Sequence, residues 1–247
     1  MACPRCGSFE RFGPVIHPVY YAIGDIHGEA DRLMALHRRI SAFHDTHYKN
    51  RAQIRIHLGD YIDRGPDSYK AIKYVMEMEK TAPFRLINLM GNHESLMLAA
   101  CESRDRRQMD VWLNNGGEAT LLSYQEHGYA FPPTHHRAWM RNLPTRYYDR
   151  ENGLVFVHAG IDPEVFPGES GFIRLWTRSE AFFASQHWQN PALNNIRVIH
   201  GHTPTGSDTP DISADGRRIN IDTGACYNGR LTAVVIAPHE KLHFLTA

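Results

Sequence analysis

Cysteine is scarce in this chain, with four thiols in 247 residues, at Cys3, Cys6, Cys101 and Cys226. Thiols so few and so scattered argue against a disulfide framework and suit a reduced, cytoplasmic setting. Long apolar runs are missing too. No stretch approaches the ~18 residues needed to cross a bilayer, and the mean hydropathy is −0.45, which excludes an integral membrane protein. Net charge is absent, with 27 Lys and Arg against 27 Asp and Glu. Neither a broadly basic nucleic-acid binder nor an acidic disordered chain is expected. The opening MACPRCGSFERFGP has no charged segment followed by an apolar one, so it does not read as a secretory signal. Internal repeats, low-complexity tracts and long Pro/Gly/Ser linkers are also lacking.

Several catalytic patterns are missing as well. Gly-x-Ser-x-Gly does not occur, a cysteine-phosphatase cradle is not expected around Cys101 or Cys226, and no Gly-x-x-x-x-Gly-Lys-[Ser/Thr] offers a P-loop. Cys3 and Cys6 form a Cys-x-x-Cys, but no second pair completes a four-ligand zinc site. Residues 1–18 therefore read as a flexible N-terminal leader, and 19–247 as one domain.

Histidine, by contrast, is abundant at 16 residues, a first pointer to metal or proton chemistry. The first half alternates β-rich and amphipathic runs: Val19–Ile23, then a helix over Asp31–Phe43 with Leu33, Leu36, Ile40 and Phe43 at helical spacing, then Ile54–Leu58, a helix over Ser68–Lys80, Phe84–Leu89, and a helix from near Glu94. Such alternation predicts a βαβ core with a parallel sheet. Residues from about 101 to 142 read as a helical, Arg-rich insert broken at Asn114–Gly117, with Arg104–Arg107 a solvated helix face. Later, Leu154–Val157, Arg197–Ile199, Arg218–Ile221, Leu231–Ile236 and Leu242–Leu245 read as short strands of a second sheet facing the first.

Five polar blocks begin where predicted strands stop: Gly24-Asp-Ile-His-Gly28, Gly59-Asp-Tyr-Ile-Asp-Arg-Gly65, Gly91-Asn-His-Glu94, His158-Ala-Gly160 and His200-Gly-His-Thr203. In open α/β sheets, ligands bind beyond the carboxyl ends of the strands, so these blocks should converge. Asp25 and His27, one residue apart, can share a side of an extended strand end. Asp60, Asn92, His158 and His202 add further oxygen and nitrogen donors. A thiolate-free mixed set suits manganese, iron or zinc. Six donors exceed the needs of one catalytic ion but suit two ions ~3.5–4 Å apart sharing a carboxylate.

The three signatures GDxHG, GDxxDRG and GNHE stand unaltered. With Trp112–Gly117, Leu175-Trp-Thr-Arg178, Gly201-His-Thr-Pro204 and Ile221-Asp-Thr-Gly-Ala225, the chain resembles the calcineurin-like metallophosphoesterases. It is most similar to their phosphoprotein-phosphatase branch, which includes phage and bacterial serine/threonine protein phosphatases. The likeness runs from about Tyr20 to Ile236 and implies a four-layer α/β/β/α sandwich with a helical insertion.

It also implies residue roles. Asp25 and His27 would bind a first divalent ion, most readily manganese, and Asp60 would bridge. Asn92, His158 and His202 would hold a second ion. A hydroxide between the ions would attack phosphorus, His93 would act as general acid oriented by Asp63, and Arg64 and Arg178 would grip the phosphoryl oxygens. The expected activity is phosphomonoester hydrolysis of the serine/threonine protein phosphatase type, on a phosphorylated protein or small phosphoester, without nucleic acid or membrane partners. The alternative is symmetrical bis(5'-nucleosyl)-tetraphosphatase activity, which shares the same signatures. The family pattern leaves His200 outside the ligand set, and Tyr227 reads either as a cleft-lining residue or as a packed aromatic.

Overall fold

The strand β1 (Val19–Ile23) is buried along its whole length, and its alternation defines two sides. The computed structural model describes residues 17–247 apart from Arg104, so Cys3 and Cys6 lie outside the described residues. Tyr20 and Ala22 face one core together with Ile56, Phe156, Ile199, Ile219 and Val234. Val19, Tyr21 and Ile23 face another, formed with Leu33, Leu36, Ile40, Ile72 and Val75. A strand buried on both faces belongs inside a layered sandwich.

The helix α1 (Ala30–His47) leads from β1 to β2 (Gln53–His57), and α2 (Ser68–Thr81) to β3 (Arg85–Asn88). Asp67 starts α2 by accepting the Lys70 N–H at 2.9 Å, the usual N-cap device. The three strands run parallel. The helix α3 (Asn92–Glu102) opens the insert, followed by α4 (Arg106–Trp112), a π-turn at Leu113–Gly117, α5 (Glu118–Glu126) and α6 (Thr134–Arg141). The predicted break falls where Gly116 takes φ 102°, a left-handed conformation that glycine adopts without strain. There the Arg64 N–H donates to Gly116 O at 3.1 Å, which ties the insert to the second signature.

The second sheet holds β4 (Arg146–Asp149), β5 (Leu154–Val157), β6 (Arg197–His200), β7 (Asp211–Ile212) and β8 (Arg218–Asn220), in the order β4-β5-β6-β8-β7. The short helices α7 (Gly171–Trp176) and α8 (Glu180–Phe183) lie between β5 and β6, where Phe182 and Trp188 pack on Val155, Val157 and Val198. Two mixed sheets flanked by helices give the four-layer sandwich.

One expectation is corrected. The last two strands, β9 (Thr232–Ile236) and β10 (His243–Thr246), join the first sheet, ordered β10-β9-β1-β2-β3. The open edge of β1 must pair its backbone groups, because it is wholly buried. The antiparallel β9 satisfies them in the register Tyr20↔Ile236.

Candidate metal centre

The five polar blocks do converge. Asp25, His27, Asp60, Asn92, His158 and His202 are each no more than 6% exposed, as are Asp63 and His93, while Arg64 and Arg178 stand exposed. Two exposed guanidinium groups thus stand beside a set of buried donors.

The local backbone is unusual. His27, Asp60, Asp63, Arg64 and His202 all have φ between 43° and 71°. Left-handed non-glycine residues of this kind cost roughly 1–3 kcal/mol each and concentrate where function demands a side-chain direction. The chain therefore turns after Ile23 instead of extending, so Asp25 and His27 reach the centre without the predicted strand alternation. Close approach is equally demanding at Gly91, where a Cβ would run into the Asp60 carboxylate and backbone N.

Two donor groups emerge, and Asp60 is common to both. One is His27, Asp60 and His93; the other is Asp60, His158 and His202. Asp60 Oδ2 lies 3.5 Å from His27 Nε2 and 3.9 Å from His93 Nε2, while Oδ1 lies 3.4 Å from His158 Nε2. The Asn92 Oδ1 sits 2.8 Å from His158 Nε2 and 2.9 Å from His202 Nδ1. His27 Nδ1–H donates to Ile62 O at 2.8 Å and His158 Nδ1–H to Leu58 O at 3.0 Å. Both rings thus have a fixed tautomer with the Nε2 lone pair facing the centre, which is how ligating histidines are held. The donor set fits two divalent cations.

Asp25 sits beside these groups, accepting the His202 N–H at 3.1 Å. Burial, Asp222 and Asp60 together push its carboxyl well above the usual range. Burial and then Glu94 do the same to Asp60, partly offset by the N-terminus of α3, whose His93 N–H donates to Asp60 Oδ1 at 3.0 Å. Burial likewise holds His27 and His158 neutral, far below the ordinary imidazole value. Uncharged imidazoles and crowded carboxylates are the state that a divalent cation converts into ligands.

His93 Nδ1 lies 2.7 Å from Asp63 Oδ2. Burial, Arg64 and Arg178 push the ring down to about 3, and burial pushes Asp63 up to about 7. Desolvation thus disfavours a separated imidazolium–carboxylate pair, and the two groups meet at Nδ1 as the expected orientation of His93 by Asp63 requires. Arg64 Nη1 donates to His27 Nε2 at 3.0 Å, and Arg178 Nη2 to His202 O at 3.3 Å.

Three residues in the support of this centre escaped sequence reasoning. The Glu94 carboxylate accepts the N–H groups of Gly91, Asp60, Tyr61 and Ile62 at 2.8–3.3 Å, which moulds the Asp60 loop. Trp112 Nε1–H donates to both Asp63 oxygens, and Thr120 Oγ1 to Asp63 Oδ1 at 2.7 Å. Glu94 and Trp112 stand inside quoted motifs, but Thr120 has no local signal. His200 is turned away from the centre, packed on Phe182 with Nε2 3.2 Å from Arg218 Nη1. The spacing Cys101-x5-Arg107 does occur, but Cys101 lies in the last turn of α3 and burial pushes its thiol up to about 11, the reverse of an activated nucleophile.

The family profile described as calcineurin-like phosphoesterase matches residues 19–235. The chain belongs to the calcineurin-like phosphoesterases. A symmetrical bis(5'-nucleosyl)-tetraphosphatase of Nitrosococcus oceani is 29% identical over 144 residues, 58% of this chain and 44% of the relative. The chain thus spans less than half the length of that relative. An asymmetrical bis(5'-nucleosyl)-tetraphosphatase, PrpE, of Geobacillus thermodenitrificans is 26% identical over 238 residues, 86% of this chain and 88% of the relative. The solved structure of a candidate diadenosine tetraphosphatase superposes at a TM-score of 0.65 with 19% identity, covering 95% of this calcineurin-like phosphoesterase and 96% of that chain, and so shares the fold. These findings establish a metallophosphoesterase hydrolase, a coarser statement than a serine/threonine protein phosphatase.

Proposed function

We propose that this protein hydrolyses dinucleoside tetraphosphates at a two-cation centre. The observation that supports the chemistry is the joining of two donor groups at Asp60. The substrate class rests on the relatives named as bis(5'-nucleosyl)-tetraphosphatases.

In this reading Asp25, His27 and Asp60 hold one cation, and Asp60, Asn92, His158 and His202 the other. Oxygen and nitrogen donors without thiolate suit manganese, iron or zinc, and the family resemblance points to manganese. When bound, such cations neutralise phosphoryl charge and activate water. Arg64 and Arg178, exposed on the solvent side, turn from His27 Nε2 and His202 O to fork onto the phosphoryl oxygens and fix them. His93 delivers a proton from Nε2 to the departing oxygen while Nδ1 takes up the one held with Asp63, and Asp63, gripped by Trp112 and Thr120, keeps the ring aimed.

The test is a panel on the manganese-loaded protein. Diadenosine tetraphosphate should give a kcat/KM at least about tenfold above that of a phosphoserine peptide. The reverse order would replace this reading with the serine/threonine phosphatase one. The products, two ADP or ATP plus AMP, report whether cleavage is symmetrical.

A further inference from the structure

Tyr227 is 56% exposed on a loop that has no freedom to bury it. Gly224 and Asn228 hold left-handed backbone at φ 70° and 66° on either side of the turn Ala225–Tyr227. The N–H groups of Tyr227 and Gly229 both donate to Gly224 O, at 2.8 and 2.9 Å. Arg32 of α1 pins the same loop from below, donating through Nη1 to Ala225 O at 3.0 Å and Gly229 O at 2.7 Å. A flat apolar face is thus displayed to water by a rigid support, an arrangement suited to stacking a ligand with little loss of conformational freedom.

The place of the ring says which ligand. The Arg64 guanidinium carbon lies 5.6 Å from the Tyr227 ring centroid, while Nη1 of that guanidinium touches His27 Nε2. One arginine therefore links the ring to the donor cluster. Beside the ring opens a cavity of about 360 Å³, lined also by Pro204, Ser207, Thr223 and Asn228, within the size range of small-molecule sites. Its walls offer the Tyr227 π-face, the Ser207 hydroxyl, the Asn228 amide and the Asp208 carboxylate, groups that can stack a base and hydrogen-bond a ribose.

We propose that Tyr227 and this cavity receive the nucleoside end of the substrate, with the base stacked on the Tyr227 ring and the adjoining phosphates passing Arg64 to the metal centre. The assignment rests on the dinucleoside reading and makes Tyr227 a specificity residue.

The experiment is calorimetric binding of ADP and of inorganic pyrophosphate to the manganese-loaded protein, without turnover. Pyrophosphate carries the phosphates but no base. Base–aromatic stacking corresponds to about 5- to 150-fold in affinity, so the preference for ADP over pyrophosphate should fall by that factor in Tyr227→Ala. It should survive in Tyr227→Phe, which keeps the ring. Pyrophosphate binding should stay within about twofold in both variants. An ADP preference unchanged in Tyr227→Ala overturns the proposal. So does its loss in Phe172→Ala instead, because Phe172 is another exposed aromatic, stacked on Trp176, whose ring lies against His202. Failure of the parent protein to cleave diadenosine tetraphosphate is a separate result. It would overturn the substrate reading even if ADP binding depends on Tyr227.

Discussion

Thr120→Val isolates the grip on Asp63 with almost no change in volume. The Thr120 hydroxyl accepts the Asp63 N–H at 2.8 Å and donates to Asp63 Oδ1 at 2.7 Å, with no solvent access. After the substitution, the N–H keeps Ser68 Oγ at 3.1 Å and Oδ1 keeps Trp112 Nε1–H at 3.1 Å, so neither group is orphaned. One charge-assisted bond worth about 1.5–3 kcal/mol and two neutral bonds, the second to Ser68 Oγ at 3.0 Å, worth about 0.5–1.5 kcal/mol each are lost, for a total of about 2.5–6 kcal/mol. At a urea dependence of about 3 kcal/mol/M, the unfolding midpoint should fall by about 1–2 M. Thr120→Ser keeps the hydroxyl and should recover most of the loss. In kinetics, Thr120→Val should lower kcat with bound manganese unchanged, since the hydroxyl holds Asp63 and no cation donor. A midpoint shift under about 0.3 M, or an equal loss in Thr120→Ser, would refute the reasoning.

Other consequences are direct. Gly91→Ala drives a Cβ into the Asp60 carboxylate and backbone, so manganese affinity measured by calorimetry should collapse even where circular dichroism still reports a folded chain. His93→Asn should lower kcat by roughly 10²–10⁴ on a phosphoserine peptide. The loss should be much smaller on diadenosine tetraphosphate, whose phosphate leaving group has a pKa near ~6; equal losses would count against proton donation by His93. Burial pushes the His57 imidazole down to about 4, so below the ordinary value of ~6.5 the unfolded chain binds the proton more readily, and stability falls with pH. The stability gap between parent and His57→Asn should shrink by about 2 kcal/mol between pH 7 and 5; a constant gap would contradict the buried neutral ring.

Much of this architecture could be read from the residues. The strand Val19–Ile23 appears with the predicted ends, because four β-favouring residues in five are bounded by a glycine block. The convergence of the polar blocks was legible for the same reason: each follows an apolar strand and precedes a glycine or a turn. Other elements were not. The edge strand Arg146–Asp149 is only half buried and carries no alternation, and Asp211–Ile212 is two exposed residues. The pairing of Thr232–Ile236 with β1 joins segments some 200 residues apart, and periodicity carries no information on partners. Thr120 reaches Asp63 across 57 residues, a contact that only the packing of α5 beside the second signature creates. The left-handed backbone at His27 runs against local preference, so residue spacing alone predicts an extended strand end through Asp25 and His27.

The central claim is that Asp60 serves two cations at once. Manganese stoichiometry by equilibrium dialysis with elemental analysis tests it most directly, on the parent and on Asp60→Asn. The account predicts two tightly held ions per chain in the parent and at most one, weakened, in the variant, with hydrolysis of diadenosine tetraphosphate abolished. A parent that saturates at one ion, or an Asp60→Asn variant that still holds two and turns over, would contradict it.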